Sequence, residues 1–374
     1  MQFNGRAQAS IDLGAVANNF RVAQRHGPHS RLVGVVKSNA YGHGLVQVAD
    51  ALVDADILAV TDLYEAQQLA PASAKPVLIL QGLISDDDIR AVAESGFQLV
   101  VQSLEQLALI EDRLTRTPPV SPLTFWLKLD TGMGRLGLAP ADYLRAWREL
   151  AGKPYTGNLV MMTHLANSSL PGSDLTQIQL QTFAVIKNRL GDVATSIPSS
   201  SGLLRPEVTR SDWLRPGIML YGSSPFPWEY EELRADKFGL QPVMTLQSRI
   251  IAVKDAKAGD NIGYCSQFIC ARDMKIGIVS IGYADGYPSN APNGTPVLVN
   301  GKRTQTVGRV SMDMLAVDLS HLPDTRVGDT VTLWGQGLAI DEVAAKTGIL
   351  SYNLMCSVTR RVQFVYLPGG PNQH

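Results

Sequence analysis

Residues 33–44 read VGVVKSNAYGHG, an apolar run that delivers a lysine and then breaks into small residues, one tyrosine and one histidine. Apolarity without polar alternation describes a strand covered on both faces, as parallel strands are. A lysine where such a strand ends is costly unless something uses it. The same texture recurs along the chain. LVGVVK (32–37), ILAVTDL (57–63), VLIL (77–80), FQLVVQS (97–103), TFWLKLD (124–130), NLVMMTHL (158–165), ATSIPS (194–199) and a last run within DWLRPGIMLYG (212–222) alternate with amphipathic segments. Among these are DDDIRAVAESG, LEQLALIEDRL, ADYLRAWRELAG and LTQIQLQTFAVIKNRLG. Acidic or polar residues lead into them and glycine closes several, as in helices. Eight units of this spacing predict an α/β fold that begins with a (β/α)8 barrel of the TIM type.

After about residue 238 the pattern changes. MTLQSRIIAV, MKIGIVSIGYADGY, TPVLVNGKRTQTVGRVSMDMLAVDL, DTVTLWG and RRVQFVYLP read as strands joined by turn dipeptides such as Asn300-Gly301, and only DEVAAKTG reads as a helix. The expected organisation is therefore a barrel over 1–238 and a mostly-β C-terminal domain over 239–374. The Pro-rich and charged stretch SSPFPWEYEELRADKFGLQP forms the link.

With 374 residues, 45% of them hydrophobic and 18% charged, the chain has ample apolar material for two domains. The net charge is −1 and the basic residues are dispersed, which gives no electrostatic footprint for nucleic acid or an anionic membrane surface. Small molecules are the expected partners. The opening MQFNGRAQASIDLGAVANNF lacks the basic, apolar and cleavage regions of a leader, and no run approaches the ~20 apolar residues of a membrane helix. The expected location is cytoplasmic. Cys265, Cys270 and Cys356 are odd in number and match no metal-ligand spacing, so free thiols and no metal are expected.

In a TIM barrel, chemistry collects at the C-terminal ends of the strands. Lys37 ends the first run, Lys128 and Asp130 the fifth with Arg135 in the loop after it, and His164 the sixth. SSSG (199–202) follows the seventh. All fall on one rim. Lys37 is either a structural lysine that snorkels to a carboxylate or a desolvated amine that attacks a carbonyl. Tyr41 four residues on, with Gly42 and Gly44 allowing close backbone approach, favours the second. The serines and the RPGI turn (215–218) are the kind of hydroxyls and N–H groups that cradle phosphate.

VVKSNAYGHG is similar to the cofactor-lysine signature of the alanine racemases, fold-type III enzymes made of a barrel and a β domain. The resemblance continues in order through LKLDTGMGRLG (127–137), MMTHLANS (161–168), DWLRPGIMLYG (212–222), GYADGYP (282–288), VGRVSMDML (307–315) and Tyr352. It implies that Lys37 holds pyridoxal 5′-phosphate covalently, that Tyr41, Ser200 and Tyr352 donate hydroxyls to its phosphate, and that the N–H groups of Ser200, Gly217 and Ile218 complete the cradle. Ser201 is an alternative or additional hydroxyl. Arg215 faces the ring nitrogen and, staying protonated, can only donate to it. The other reading of Arg215 is an arginine paired with an acid at the barrel mouth.

Racemisation takes a proton from one face of the α-carbon and returns one to the other. The resemblance assigns the two faces to Lys37 and Tyr264, the latter reaching the active site of a partner subunit, so that the enzyme is a homodimer with shared sites. A phenol of ordinary pKa ~10 is a poor base near neutrality, and His164 and Arg215 are the neighbours expected to couple with Tyr264. By the same resemblance Arg135, Met312 and Tyr283 contact the substrate, and Lys128 is the lysine that family members carbamylate. Structural alternatives stand beside each: core packing for Tyr283 and Met312, a hydrogen-bonded strand-end His164, and Lys128 paired with Asp130. The run Cys265-Ser266-Gln267-Phe268 departs from the Gly-small-Thr-aromatic that usually follows the family's tyrosine. The implied reaction is interconversion of L- and D-alanine, supplying D-alanine to cell-wall peptidoglycan or catabolising it. Alternatives are a racemase acting on serine or a wider set of amino acids, a decarboxylase of the same barrel group, or a non-catalytic carrier of the cofactor.

Overall fold

The chain enters through β1 (Ala7–Asp12) and α1 (Leu13–His26) and then winds eight parallel strands: β2 (Arg31–Val35), β3 (Ile57–Val60), β4 (Val77–Ile79), β5 (Gln98–Val101), β6 (Leu123–Lys128), β7 (Thr156–Met162), β8 (Ala194–Ser199) and β9 (Trp213–Arg215). They pair in sequence order and β9 closes on β2, giving a closed barrel. This computed structural model describes residues 6–83, 85–205 and 211–368. All eight apolar runs are barrel strands, and every residue of β3 and β4 is buried, which is why they read as continuous apolar sequence.

Around the barrel run α2 (Lys37–Tyr41), α3 (Leu45–Ala51), α4 (Leu63–Leu69), α5 (Asp86–Ser95), α6 (Leu104–Arg116), α7 (Pro140–Ala151), α8 (Asp174–Leu190) and α9 (Ser200–Leu203). Side chains start several of them. Asp12, Asp62, Ser85 and Ser103 each accept a hydrogen bond from an N–H in the first turn, satisfying a donor that has no partner within the helix.

The second body is an eight-stranded sheet with β10 (Met244–Ala256), β11 (Met274–Val279), β12 (Pro296–Val299), β13 (Lys302–Val307), β14 (Leu315–Asp318), β15 (Thr330–Trp334) and β16 (Gln363–Leu367). Asn300 and Gly301, both with positive φ, turn β12 into β13, the backbone a two-residue hairpin requires. Two expectations are corrected here. The segment Ala7–Asp12, counted with residues 1–238, hydrogen bonds into this sheet, antiparallel to β10 and parallel to β16. Its alternate residues Ala7, Ala9 and Ile11 are buried there, and partners more than two hundred residues away leave no local signal. Besides α10 (Ile340–Thr347), which DEVAAKTG announces, the domain has a second helix, α11 (Ser351–Cys356), too short to show a period. Residues 1–5 and 369–374 of the two expected units lie outside the described residues.

Candidate active site

The first barrel strand stops at Val35, two residues before the lysine expected to end it, and Lys37 opens α2. That element is a left-handed turn: Ser38, Asn39, Ala40 and Tyr41 have φ of 56°, 53°, 52° and 52°. Four successive non-glycine residues in this region cost roughly 1–2 kcal/mol each, about 4–8 kcal/mol together. Contacts from outside the turn hold it. Glu65 accepts from the Asn39 N–H with one oxygen and from the Thr61 N–H with the other, both at 2.9 Å. The Asn39 side chain accepts from Leu45 N–H at 2.9 Å. Gly42, at φ +82°, lies so close to α11 that a Cβ would stand 2.4 Å from the Met355 carbonyl. The turn raises Lys37 half-buried into the barrel mouth and points Tyr41 inward.

Lys37 and Tyr41 line a cavity of about 410 Å³ with Lys128, Arg135, His164, Ser200, Arg215, Gly217, Ile218 and Tyr352. The structure thus gathers ten of the thirteen anticipated site residues. It also adds residues the sequence reading passed over. Thr61, Leu80 and Gln81 lie just beyond the ends of β3 and β4, Val35, Leu136 and Met162 also line it, and Ser199 and Ser201 of the anticipated serine run complete the wall. Of Thr61, Leu80 and Gln81, only Gln81 directly follows a run as read, whereas Thr61 and Leu80 lie inside ILAVTDL (57–63) and VLIL (77–80).

Four of the lining residues are cationic, and among the described residues of the wall there is no carboxylate. Asp130 uses one oxygen to accept from the N–H groups of Gly132, Met133 and Gly134, so it caps its own loop. Burial, reinforced by Arg135, lowers the Lys37 pKa below the usual lysine range. Burial and then the Arg215 and Arg135 guanidiniums push Lys128 down to about 8. Like charges crowded in a partly dry site favour the neutral amine, the form that attacks a carbonyl.

Arg215 is buried at the end of β9 and binds no acid among the described residues. It donates to the carbonyls of Thr163 at 2.7 Å and Ile197 at 3.1 Å and to the Ser196 hydroxyl. Burial pushes it down to about 10, still protonated near neutrality. Its remaining contact is His164 Nδ1 at 3.4 Å. A guanidinium cannot accept, so Nδ1 is the unprotonated nitrogen. Burial and the Arg215 charge hold His164 neutral, well below its ordinary pKa.

At the other side of the cavity, the Ser200 hydroxyl oxygen accepts from Gly217 N–H at 2.9 Å. The Gly217 N–H expected to face the cavity is therefore engaged by Ser200, whose own proton is left to donate. Burial raises the pKa of Tyr41 above the usual phenol range and of Tyr352 to about 12, so both remain hydroxyl donors. A side chain at Gly217 would meet the Tyr41 hydroxyl at 2.7 Å. This corner offers hydroxyls around a glycine and suits a phosphate, while the cations suit further negative charge.

Tyr264, Tyr283 and Met312 lie elsewhere, at 68%, 43% and 53% exposure on the β domain. Their loops pack together. The N–H groups of Tyr283 and Ala284 donate to the carbonyls of Ser311 and Met312 at 3.1 and 3.0 Å, and Arg309 reaches Cys265 beside Tyr264. All three cysteines are free, and among the described residues there is no group of metal-ligand type and no helix long and apolar enough to cross a membrane.

A closed parallel barrel whose mouth gathers a lysine with a lowered pKa, a corner of hydroxyls and three further cations defines the class, a barrel with a polar small-molecule pocket at the strand ends. Residues 11–225 match the alanine racemase N-terminal domain and residues 243–366 the alanine racemase C-terminal domain. An alanine racemase of Pseudomonas putida, described as catabolic, is 44% identical over 356 residues, 95% of this chain and 97% of that one. The crystal structure of biosynthetic alanine racemase from Pseudomonas aeruginosa is similar with a TM-score of 0.92 and 42% identity, over 97% of this chain and 100% of the other. Alanine racemase from Bartonella henselae, solved with covalently bound pyridoxal phosphate, gives 0.85 and 26% over 97% and 100%. The chain belongs to the alanine racemase family and is an enzyme.

Proposed function

We propose that this protein interconverts L- and D-alanine with pyridoxal 5′-phosphate, as a homodimer in which Lys37 of one subunit and Tyr264 of the other serve the two faces of the substrate. The observation that carries the reading is the half-buried Lys37 amine, with its lowered pKa, sharing one cavity with Tyr41, Ser200 and Arg215. The residues fit the cofactor. Tyr41, Ser200 and Tyr352, with the backbone N–H of Ile218, would hold the phosphate, while Gly217 N–H orients the Ser200 hydroxyl, and Lys37 would hold the aldehyde carbon and Arg215 the ring nitrogen. When bound, the cofactor supplies an electron sink that acidifies the substrate α-proton.

Arg215 donates and does not deliver a proton, because its guanidinium stays protonated. Facing a ring nitrogen, it would leave that nitrogen largely unprotonated, which would limit the sink and disfavour side reactions such as transamination. Lys37 in its neutral form accepts the α-proton on its Nζ. Tyr264 from the partner subunit serves the opposite face, with His164 coupling to it: neutral, with Nδ1 towards Arg215, His164 has Nε2–H available to donate. Arg135 at the cavity rim binds the substrate carboxylate or steadies a cofactor oxygen. Lys128, pushed down to about 8, carries a fraction of free amine near neutrality, the form that carbamylation requires.

The exposure of Tyr264, Tyr283 and Met312 on clustered loops supports residues 239–374 serving a partner's site. Supply of D-alanine for peptidoglycan and its catabolism are both compatible with this chemistry in the cytoplasm. The test is borohydride reduction of the loaded enzyme followed by peptide mapping, together with loss of optical rotation over a panel of L-amino acids. A pyridoxyl adduct on Lys37 and fastest turnover of alanine are expected. An adduct on another lysine, release of carbon dioxide, or a preference for serine or a bulky amino acid would refute the assignment.

A further inference from the structure

His43 is the penultimate residue of the opening motif, and its side chain is fully buried. Its Nδ1 lies 3.0 Å from the Ala40 carbonyl oxygen and 3.0 Å from that of Tyr41. Two acceptors require a proton on Nδ1, so the ring is the Nδ1–H tautomer. Nε2 is then a bare acceptor, buried without a hydrogen-bond partner among the described residues. Such an orphan calls for a reason. A second proton there would be a charge with no acceptor in an apolar setting, and burial accordingly pushes His43 down to about 4.

The ring packs 4.7 Å from Tyr221, which also stacks on Tyr41 at 4.6 Å and donates its hydroxyl to the Val35 carbonyl at 2.9 Å. Successive carbonyls in an extended chain point to opposite sides, whereas those of Ala40 and Tyr41 converge on one donor. A single N–H therefore reaches both only while the chain keeps its helical turn, and it adds to the backbone bonds there, in which the Ala40 carbonyl also accepts from His43 N–H at 3.0 Å.

We propose that His43 is a positioning residue: its Nδ1–H pins the closing end of the left-handed turn and so fixes where the Lys37 amine and the Tyr41 hydroxyl stand in the cavity. The inference rests on the reading that these two groups bind pyridoxal phosphate. If His43 only fills the core, the ring matters and the donor does not. If it positions the turn, the donor matters more.

Two variants separate these roles. His43→Phe keeps a stacking ring and removes the donor, and His43→Asn keeps a donor near Nδ1 and removes the ring. With the holoenzymes, we expect His43→Phe to lose pyridoxal phosphate on dialysis with roughly tenfold weaker affinity, a shifted visible absorbance of the bound cofactor and a lower kcat. We expect His43→Asn to stay within about threefold of the wild type. Unchanged cofactor affinity and spectrum in His43→Phe, or equal damage in both variants, would overturn the proposal. Where the variants do not fold, 15N-histidine NMR of the wild type decides. One histidine in the Nδ1–H tautomer that does not titrate between about pH 5 and 9 is expected, and an Nε2–H tautomer for His43 or its titration in that range would overturn it. A wild type that takes up no pyridoxal phosphate sinks the proposed function and this inference with it. A wild type that binds it alongside an unaffected His43→Phe sinks this inference alone.

Discussion

The contact between Gly217 and Tyr41 can be tested by a double-mutant cycle. A Cβ at position 217 would stand 2.7 Å from the Tyr41 hydroxyl oxygen, 3.5 Å from Cζ and 3.8 Å from Val35 Cβ. Only the first is a clash, and it must open by roughly 0.7 Å to reach ordinary contact. Tyr41 has little room to yield, since it is buried and stacked on Tyr221, which is itself tied to Val35. Overpacking of this kind costs about 1–3 kcal/mol. Tyr41→Phe removes the one clashing atom, so Gly217→Ala should cost almost nothing in that background. The expected coupling is then about 1–3 kcal/mol, against the ~0.3–0.5 kcal/mol within which independent sites add. Urea unfolding of the cofactor-free single and double variants measures it. Additive effects would show that the hydroxyl does not stand over Gly217, and the phosphate corner built on that geometry would fall with it.

Other consequences can be checked as directly. Mixing Lys37→Ala subunits with Tyr264→Phe subunits should restore up to about one quarter of wild-type racemase activity, because half of the dimers are mixed and each has one intact shared site; no recovery would argue for a site within one subunit. Lys128→Met should stabilise the protein near pH 7. The folded pKa of about 8 lies below that of an unfolded lysine, so the penalty of the buried ammonium, on the order of 3 kcal/mol, is fully present below pH ~8 and fades as the pH rises towards the ordinary lysine value. A gain in thermal midpoint independent of pH would contradict this. Gln179→Ala removes the side chain that accepts from Ala166 N–H and donates to Thr131 and to the His164 carbonyl. Loss of these buried partners should cost about 1–3 kcal/mol and lower the thermal midpoint, and an unchanged midpoint would show the network to be dispensable.

The barrel was readable from the chain because parallel strands buried on both faces are apolar, and β3 and β4 follow that rule throughout while β7 and β8 mix polar residues with apolar ones. The helices announced themselves by period and by capping residues such as Ser85 and Ser103. Lys128 and His164 were readable as candidates for the barrel mouth because each is a polar group at the end of an apolar run, and Arg215 through the family resemblance. The lining by Thr61, Leu80 and Gln81 was missed, as no unusual residue type marks those ends. The sheet partners of β1 and the helix that carries Tyr352 were hidden for different reasons, distance along the chain in one case and brevity in the other.

By itself, the amino-acid sequence determined the order of the elements, the division of texture near residue 238 and the residue types of the site, since all of these follow from local hydrophobic pattern and turn chemistry. The tertiary structure alone decided that Lys37 opens a left-handed turn, because the intrinsic preference of Ser38, Asn39, Ala40 and Tyr41 opposes it. Contacts that exist only in the folded state, among them those from Glu65, His43, Tyr221 and α11, hold that turn. The same holds for the lowered pKa values of Lys37 and Lys128: a lysine is shifted down in this way only when folding brings other cations beside it and takes water away.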